Sequence, residues 1–170
     1  MKMFSLICCL NKQNVIGKDN DLIYKIKDDL KRFKELTTNN VIVMGRKTFD
    51  SLPIKPLPNR VNIVLTSDLS FSHDNVLVCH SFDEVINICN EMFSDKECFI
   101  IGGGRVYDEA LKLDIVNKMY LTEVDDDMEG NVYFPKFNLD EWEIFQRHGC
   151  HESNGMHFTY TDYIKKKSII

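Results

Sequence analysis

A chain of 170 residues with 44% hydrophobic and 28% charged residues has the make-up of one globular domain with its own core. Its net charge of −5, from 26 acidic against 21 basic side chains, argues against a general nucleic-acid binder, which would be basic. No apolar run is long enough to span a bilayer, and the short run from Phe4 to Leu10 has no small-residue cleavage site after it, so no membrane or secreted protein is expected. In chain order, Phe4 to Leu10 is continuous, apolar and short, the pattern of a buried strand. Asn11 to Leu22 is polar and carries Gly17, which predicts a loop. Apolar spacing predicts a helix over 26–37, then a buried strand from Val41 to Met44 closed by Gly45, and a short helix over 46–52. Pro53, Pro56 and Pro58 predict an extended connection. Strands follow over 61–66 and 76–79, and Ser81-Phe-Asp-Glu84 is a capping box opening a helix through Phe93. Cys98 to Ile101 is a strand running into Gly102-Gly103-Gly104, with a helix over 105–113 and a strand over 118–124. The tail gives two extended runs, 142–150 and 156–165, around the hairpin signal Ser153-Asn154-Gly155. Together these predict an α/β fold in a single domain over 1–170. It would have one mixed, mostly parallel eight-stranded sheet, about four helices flanking both faces and a C-terminal antiparallel hairpin.

The six cysteines form no CxxC pair and most lie in apolar runs, which predicts buried, reduced thiols and a cytoplasmic compartment, with no metal. Asp29 is the most informative acid. At about 100° per residue it falls between Phe33 and Leu36, inside the stripe that includes Ile26, Leu30 and Thr37, whereas Asp28 faces solvent. A buried carboxylate is costly. Free N–H groups at a helix start would stabilise it, or a buried base would pair with it; the functional alternative is an acid of raised pKa that binds or protonates a ligand.

Two glycine turns suggest phosphate sites. In Phe99-Ile-Ile-Gly-Gly-Gly-Arg-Val-Tyr107 a strand meets bare glycines and then a helix start, which suits pyrophosphate. It is not the GxGxxG fingerprint, since Val106 and Tyr107 fill the last places, and Asp125 beyond it is set aside for the same reason; a purely structural turn is the alternative. Val41-Ile-Val-Met-Gly-Arg-Lys-Thr48 repeats the design with two bases and a hydroxyl. Two such sites fit a ligand with phosphates at separated points, as NADPH has; otherwise Arg46 and Lys47 are solvated charges.

Taken in order, Ser5-Leu-Ile-Cys-Cys-Leu10, Val15-Ile-Gly17, Asp29-Leu-Lys-Arg-Phe33, Met44-Gly-Arg-Lys-Thr48, Pro56-Leu-Pro-Asn-Arg60, Ile101-Gly-Gly-Gly-Arg-Val-Tyr107, Tyr120-Leu-Thr122 and Phe134-Pro135 resemble the dihydrofolate reductase family, from Ser5 to about Tyr163. The resemblance implies NADPH-dependent reduction of dihydrofolate to tetrahydrofolate, which supports one-carbon metabolism and thymidylate and purine synthesis. It assigns the catalytic step to Asp29, with Tyr24 and Leu22 beside it, and has Asp29 bind the pterin amino group and adjacent ring nitrogen with Thr122 in support. Ile7, Cys8, Leu30, Phe33, Leu52, Leu57, Ile101 and Tyr107 would line the folate cleft, and Arg60 would grip the glutamate-tail carboxylate. Gly102, Gly103, Gly104 and Arg105 would hold pyrophosphate, with a cis bond between Gly102 and Gly103. Arg46, Thr48, Thr66 and Ser67 would bind the adenosine phosphates, Arg46 chiefly the 2′-phosphate. Cys9, Ile16, Ile101 and Tyr107 would surround the nicotinamide, with Gly17, Asn20, Gly45, Lys47, Leu65 and Val106 completing the cofactor site. Residues 11–24 would form a mobile loop that closes over the reaction. A monomer inhibited by antifolates such as methotrexate or trimethoprim is implied.

Three positions depart from the family pattern. Ile23-Tyr24 replaces the usual Pro-Trp, and Tyr24 is expected to offer an aromatic face and a hydroxyl to bound water. One extra residue around Pro53-Ile54-Lys55 is expected to reshape the folate-tail site, and Asp68, beside Ser67, to soften the NADPH preference. The rivals are a nonenzymatic nucleotide-binding module, against which Asp29 and Arg60 speak, and a reductase of a pyrimidine intermediate as in riboflavin synthesis, which would not need the helix carrying Asp29 and Phe33.

Overall fold

A computed structural model of the chain describes residues 2–18, 21–22 and 24–167. Six short apolar segments pair in parallel: β1 (Phe4–Asn11), β4 (Val41–Gly45), β5 (Val61–Leu65), β6 (Val76–Cys79), β7 (Cys98–Gly102) and β8 (Val116–Val124). The last two strands, β10 (Trp142–Ser153) and β11 (Met156–Lys165), add an antiparallel hairpin, giving the order β10-β11-β8-β1-β7-β4-β5-β6. Four helices flank this sheet: α1 (Lys27–Thr37), α2 (Arg46–Ser51), α3 (Phe82–Met92) and α4 (Gly104–Lys112). This is the predicted fold class.

Strand residues alternate between the two faces, so each strand feeds two cores. Val41, Val43, Ile63 and Ile100 pack with Val85, Cys89 and Ala110 of α3 and α4. Ile42, Met44, Val64 and Phe99 pack on the other face with Phe49 of α2 and Leu36 of α1. All six cysteines are free thiols; Cys150 is exposed, Cys9 half-buried and the others buried.

Several local expectations need correction. The segment predicted as a loop over 11–22 continues β1 through Asn11 and then holds β2 (Val15–Lys18) and β3 (Asp21–Leu22), which join β9 (Val132–Tyr133) in a second, three-stranded sheet. Asn11 Oδ1 accepts hydrogen bonds from Gln13 N (2.9 Å) and Val15 N (3.1 Å), which turns the chain there. β2 pairs with the adjacent β3 and with the distant β9, and strands this short leave no local period. The proline segment is not extended: it bends, with a cis Lys55-Pro56 bond, and buried Asn62 pins it by bonding both the N and O of Leu57 and the O of Arg60. Ser81 caps α3 as predicted by accepting from Glu84 N at 3.2 Å, but the Glu84 carboxylate reaches back to His80 N (2.7 Å), one residue earlier than a capping box requires. The hairpin turn has positive φ at both Asn154 (50°) and Gly155 (82°), which the Asn-Gly pair permits.

Candidate functional site

The parallel strands deliver their carboxyl ends to one edge of the sheet. From β1 the chain builds β4, β5 and β6 outward, returns to insert β7 between β1 and β4, and then crosses to β8 on the other side of β1. Where strand order reverses in this way, a crevice opens outside the carboxyl ends. Cys9, Gly45, Leu65, Thr66, Gly102 and Thr122 lie at or near those ends, whereas Arg60 immediately precedes β5.

Asp29 lies half-buried in the first turn of α1, where Thr122 Oγ1 donates to its Oδ1 at 2.5 Å. Thr122 on β8 stands in register with Cys9 on β1. The helix start is part of the explanation for a buried acid here, yet its cap residue, Ile26, has no side chain to share the task. A buried base is not: Arg32, one turn along, donates from Nη2 to both Asp162 oxygens at 2.9 and 3.1 Å, and Asp29 has no ion-pair partner among the described residues. Burial pushes the Asp29 carboxyl above its ordinary pKa; the Thr122 hydroxyl, then Arg32 and the Cys9 thiol, pull it partway back.

Ile7, Leu36, Leu52, Leu57 and Ile101 form half-buried apolar walls on the α1–α2 side of the sheet, and Phe33 is half-buried on α1. Leu30, 47% exposed, stands outside the packed stripe that the spacing predicted. The Cys8 side chain points to the opposite face, into the core with Tyr107, because neighbours on a strand alternate. Tyr107 is likewise buried in that core, and its hydroxyl donates to Ile7 O at 2.7 Å. Beyond Phe33, Arg60 donates only to neutral oxygens, Pro58 O (2.9 Å) and Thr37 Oγ1 (3.2 Å). It has no carboxylate partner among the described residues, so its guanidinium is available to an anionic ligand.

At the other end of the crevice β4 and β7 run side by side into glycines. The Gly102-Gly103 bond is cis, and Gly102 has φ +135°. A Cβ on Gly102 would lie 3.3 Å from Thr48 Oγ1 and 3.5 Å from Tyr107 OH, and one on Gly45 would lie 3.1 Å from Val106 Cγ2. Bare backbone is therefore required, and with the free N–H groups opening α4 it makes a cradle fit for a pyrophosphate. Arg105 is exposed at its rim, and half-buried Leu65 and Thr66 and exposed Ser67 end β5, whose Leu65 is in register with Gly45. Arg46 and Lys47 are exposed; Arg46 Nε meets Asp50 at 3.2 Å and its NH1 meets Asp68 at 3.5 Å. The set-aside acid, Asp125, forms a surface ion pair with Lys12 at 2.5 Å.

On the loop, Ile16 and Gly17 are buried in β2 and Leu22 is 54% exposed in β3; Asn20 and Ile23 lie outside the described residues. Tyr24 is buried, and its hydroxyl donates to the Asp126 carboxylate and accepts from Asn11 Nδ2 at 3.3 Å. Burial and Asp126 push its pKa up to about 12. The sequence reading missed Asn11, Asn62 and Asp126. A polar residue inside an apolar strand is the signal that could have found Asn62; the partners of Tyr24 lie far along the chain and left none.

An acid in an apolar crevice, flanked at one end by a guanidinium with no carboxylate partner among the described residues and at the other by a glycine cradle, is what a dinucleotide-dependent reductase of the α/β class requires. The family model for dihydrofolate reductase matches residues 3–165. Curated dihydrofolate reductases are similar: that of Bacillus subtilis is 35% identical over 98% of this chain and 96% of its own length, and that of Haemophilus influenzae is 40% identical over 83% and 84%. The solved dihydrofolate reductase of Enterococcus faecalis, complexed with NADP(H) and RAB-propyl, superposes with a TM-score of 0.86 at 31% identity, covering 97% of each chain. The chain belongs to the dihydrofolate reductase family.

Proposed function

We propose that this single domain reduces dihydrofolate to tetrahydrofolate with NADPH, and that Asp29 is the carboxylate on which the step depends. The observation that carries the assignment is the Asp29 carboxylate, half-buried, bonded to Thr122 and without an ion-pair partner among the described residues, beside the apolar walls of the crevice. Asp29 accepts from the pterin amino group and neighbouring ring nitrogen, and its charge favours the protonated pterin. Ile7, Phe33, Leu52 and Leu57 hold the flat rings, which removes orientational freedom from the barrier. Arg60 binds the glutamate-tail carboxylate. The glycine cradle, Thr48 and Arg46 would hold NADPH, which would supply the hydride. Water delivers the proton to the nitrogen beside the reduced carbon, and the loop over 11–24 shields the rings from bulk solvent.

The chain acts as a cytoplasmic monomer, a reading that its six free thiols suit. Antifolates such as methotrexate or trimethoprim occupy the pterin side of the crevice. The test follows NADPH absorbance in the presence of dihydrofolate, then adds methotrexate. Absorbance is expected to fall, and the antifolate to stop it. Loss that methotrexate does not block, or NADPH binding with no turnover, would overturn the reading.

A further inference from the structure

The Arg46 guanidinium is engaged on three sides. Its Nε edge meets both oxygens of Asp50 at 3.2 Å, one turn along the same helix. Its flat face lies over the Phe71 ring, 4.2 Å from the centroid. Its NH1 faces Asp68 Oδ2 at 3.5 Å. The two carboxylates differ in kind. Asp50 holds the edge nearest the backbone and leaves the terminal nitrogens free to meet a ligand. Asp68 stands at a terminal nitrogen, where an incoming anion would bind.

Asp68 is also fixed in place. Its Oδ1 accepts from Ser70 N (2.9 Å) and Ser70 Oγ (2.7 Å), while its own N donates to Thr66 Oγ1 at 3.1 Å. The Ser70 bonds hold its carboxyl below the usual range, so it stays ionised at neutral pH. The positive charge of Arg46 is thus offset by Asp50 and Asp68.

We propose that Asp68 is a resident competitor for the second phosphate of the cofactor and sets how strongly this chain discriminates NADPH from NADH. This rests on the reading that Arg46 meets that phosphate. A phosphate arriving at NH1 either displaces the Asp68 carboxylate or accepts its repulsion at close range. Both carboxylates and the guanidinium are about half exposed, with side chains 42% to 54% accessible, so solvent screens the interaction. The expected penalty is therefore modest, about three- to fivefold in affinity. A ligand without that phosphate does not feel it.

The test titrates adenosine 2′,5′-bisphosphate and adenosine 5′-monophosphate calorimetrically into the wild-type protein, Asp68→Asn and Arg46→Ala. Asparagine keeps the carbonyl that accepts from Ser70, so the turn is retained. Asp68→Asn is expected to tighten the bisphosphate about three- to fivefold and leave the monophosphate within about 1.5-fold, while Arg46→Ala weakens the bisphosphate alone. If Arg46→Ala weakens the bisphosphate but Asp68→Asn leaves it unchanged, or tightens both ligands alike, Asp68 is no competitor and the phosphate reading survives. If Arg46→Ala leaves the bisphosphate unchanged, the phosphate reading falls and the proposal with it.

Discussion

Burial raises the pKa of Asp29, and the Thr122 hydroxyl only partly reverses this. The folded protein therefore binds a proton at this carboxylate more readily than the unfolded chain does. Its contribution to stability falls as pH rises from the unfolded value through the folded one, and at neutral pH the ionised group is destabilising. Asp29→Asn should accordingly raise the thermal midpoint at neutral pH. The same change should slow dihydrofolate reduction by about 100-fold or more, because it removes the charge that favours the protonated pterin. Activity should recover in part as pH is lowered and more substrate is protonated in solution. Calorimetric melting and steady-state rates across pH check both; an unchanged rate at neutral pH would remove Asp29 from the mechanism. This acid was legible in the sequence because helical period places it within an apolar stripe. The commitments of Tyr24 to Asp126 and of Arg32 to Asp162 were not, since each joins residues about a hundred or more positions apart and neither has a local period.

The six parallel strands, four helices and hairpin all form where apolar runs, spacing and turn residues place them, although β8 begins two residues earlier and β10 ends three residues later than predicted. The small sheet of β2, β3 and β9 escaped because β2 and β3 mix polar with apolar residues, and the two-residue β9 meets β2 only through a long-range contact. That contact has a testable consequence at the start of α4. A Cβ on Gly104 would lie 3.0 Å from Val132 Cγ1 and 3.2 Å from Tyr133 O. The valine side chain can turn aside; the carbonyl belongs to β9, which pairs with Val15 and Gly17 of the loop strand β2. Gly104→Ala should therefore lower stability by about 1–3 kcal/mol and weaken NADPH binding, by pushing β9 from the cradle. Gly149→Ala, with nothing within 4 Å of its new carbon, should change stability by less than about 0.5 kcal/mol. Urea unfolding of both variants and a fluorescence titration with NADPH decide the matter; equal stability in the two would mean that β9 yields freely.

At the scale of the molecule, one charged tie joins the helix that carries Asp29 to the antiparallel strands at the sheet edge. Arg32 of α1 donates from Nη2 to both oxygens of Asp162 of β11, lies over the Tyr160 ring at 4.3 Å from the centroid, and shares Asp162 with His148 of β10 at 3.7 Å. With side chains only 16% and 6% exposed, the pair is largely desolvated, so its parts matter more than its net value. Asp162→Ala leaves a guanidinium facing the core without its partner and should destabilise the fold by about 3–5 kcal/mol. Replacing both, Arg32→Met with Asp162→Leu, removes the orphaned charge and should recover most of that loss, giving a coupling energy of about 2 kcal/mol or more in a double-mutant cycle of urea midpoints. Because Arg32 also pulls down the pKa of Asp29, the double variant should show the acid of α1 titrating at higher pH than in the wild type, although the apolar walls of the crevice are untouched. Additive single losses would instead mean that α1 is seated by the packing of its Leu36 on the cluster around Phe49, and that the charged tie to the hairpin contributes nothing to holding Asp29 in the crevice.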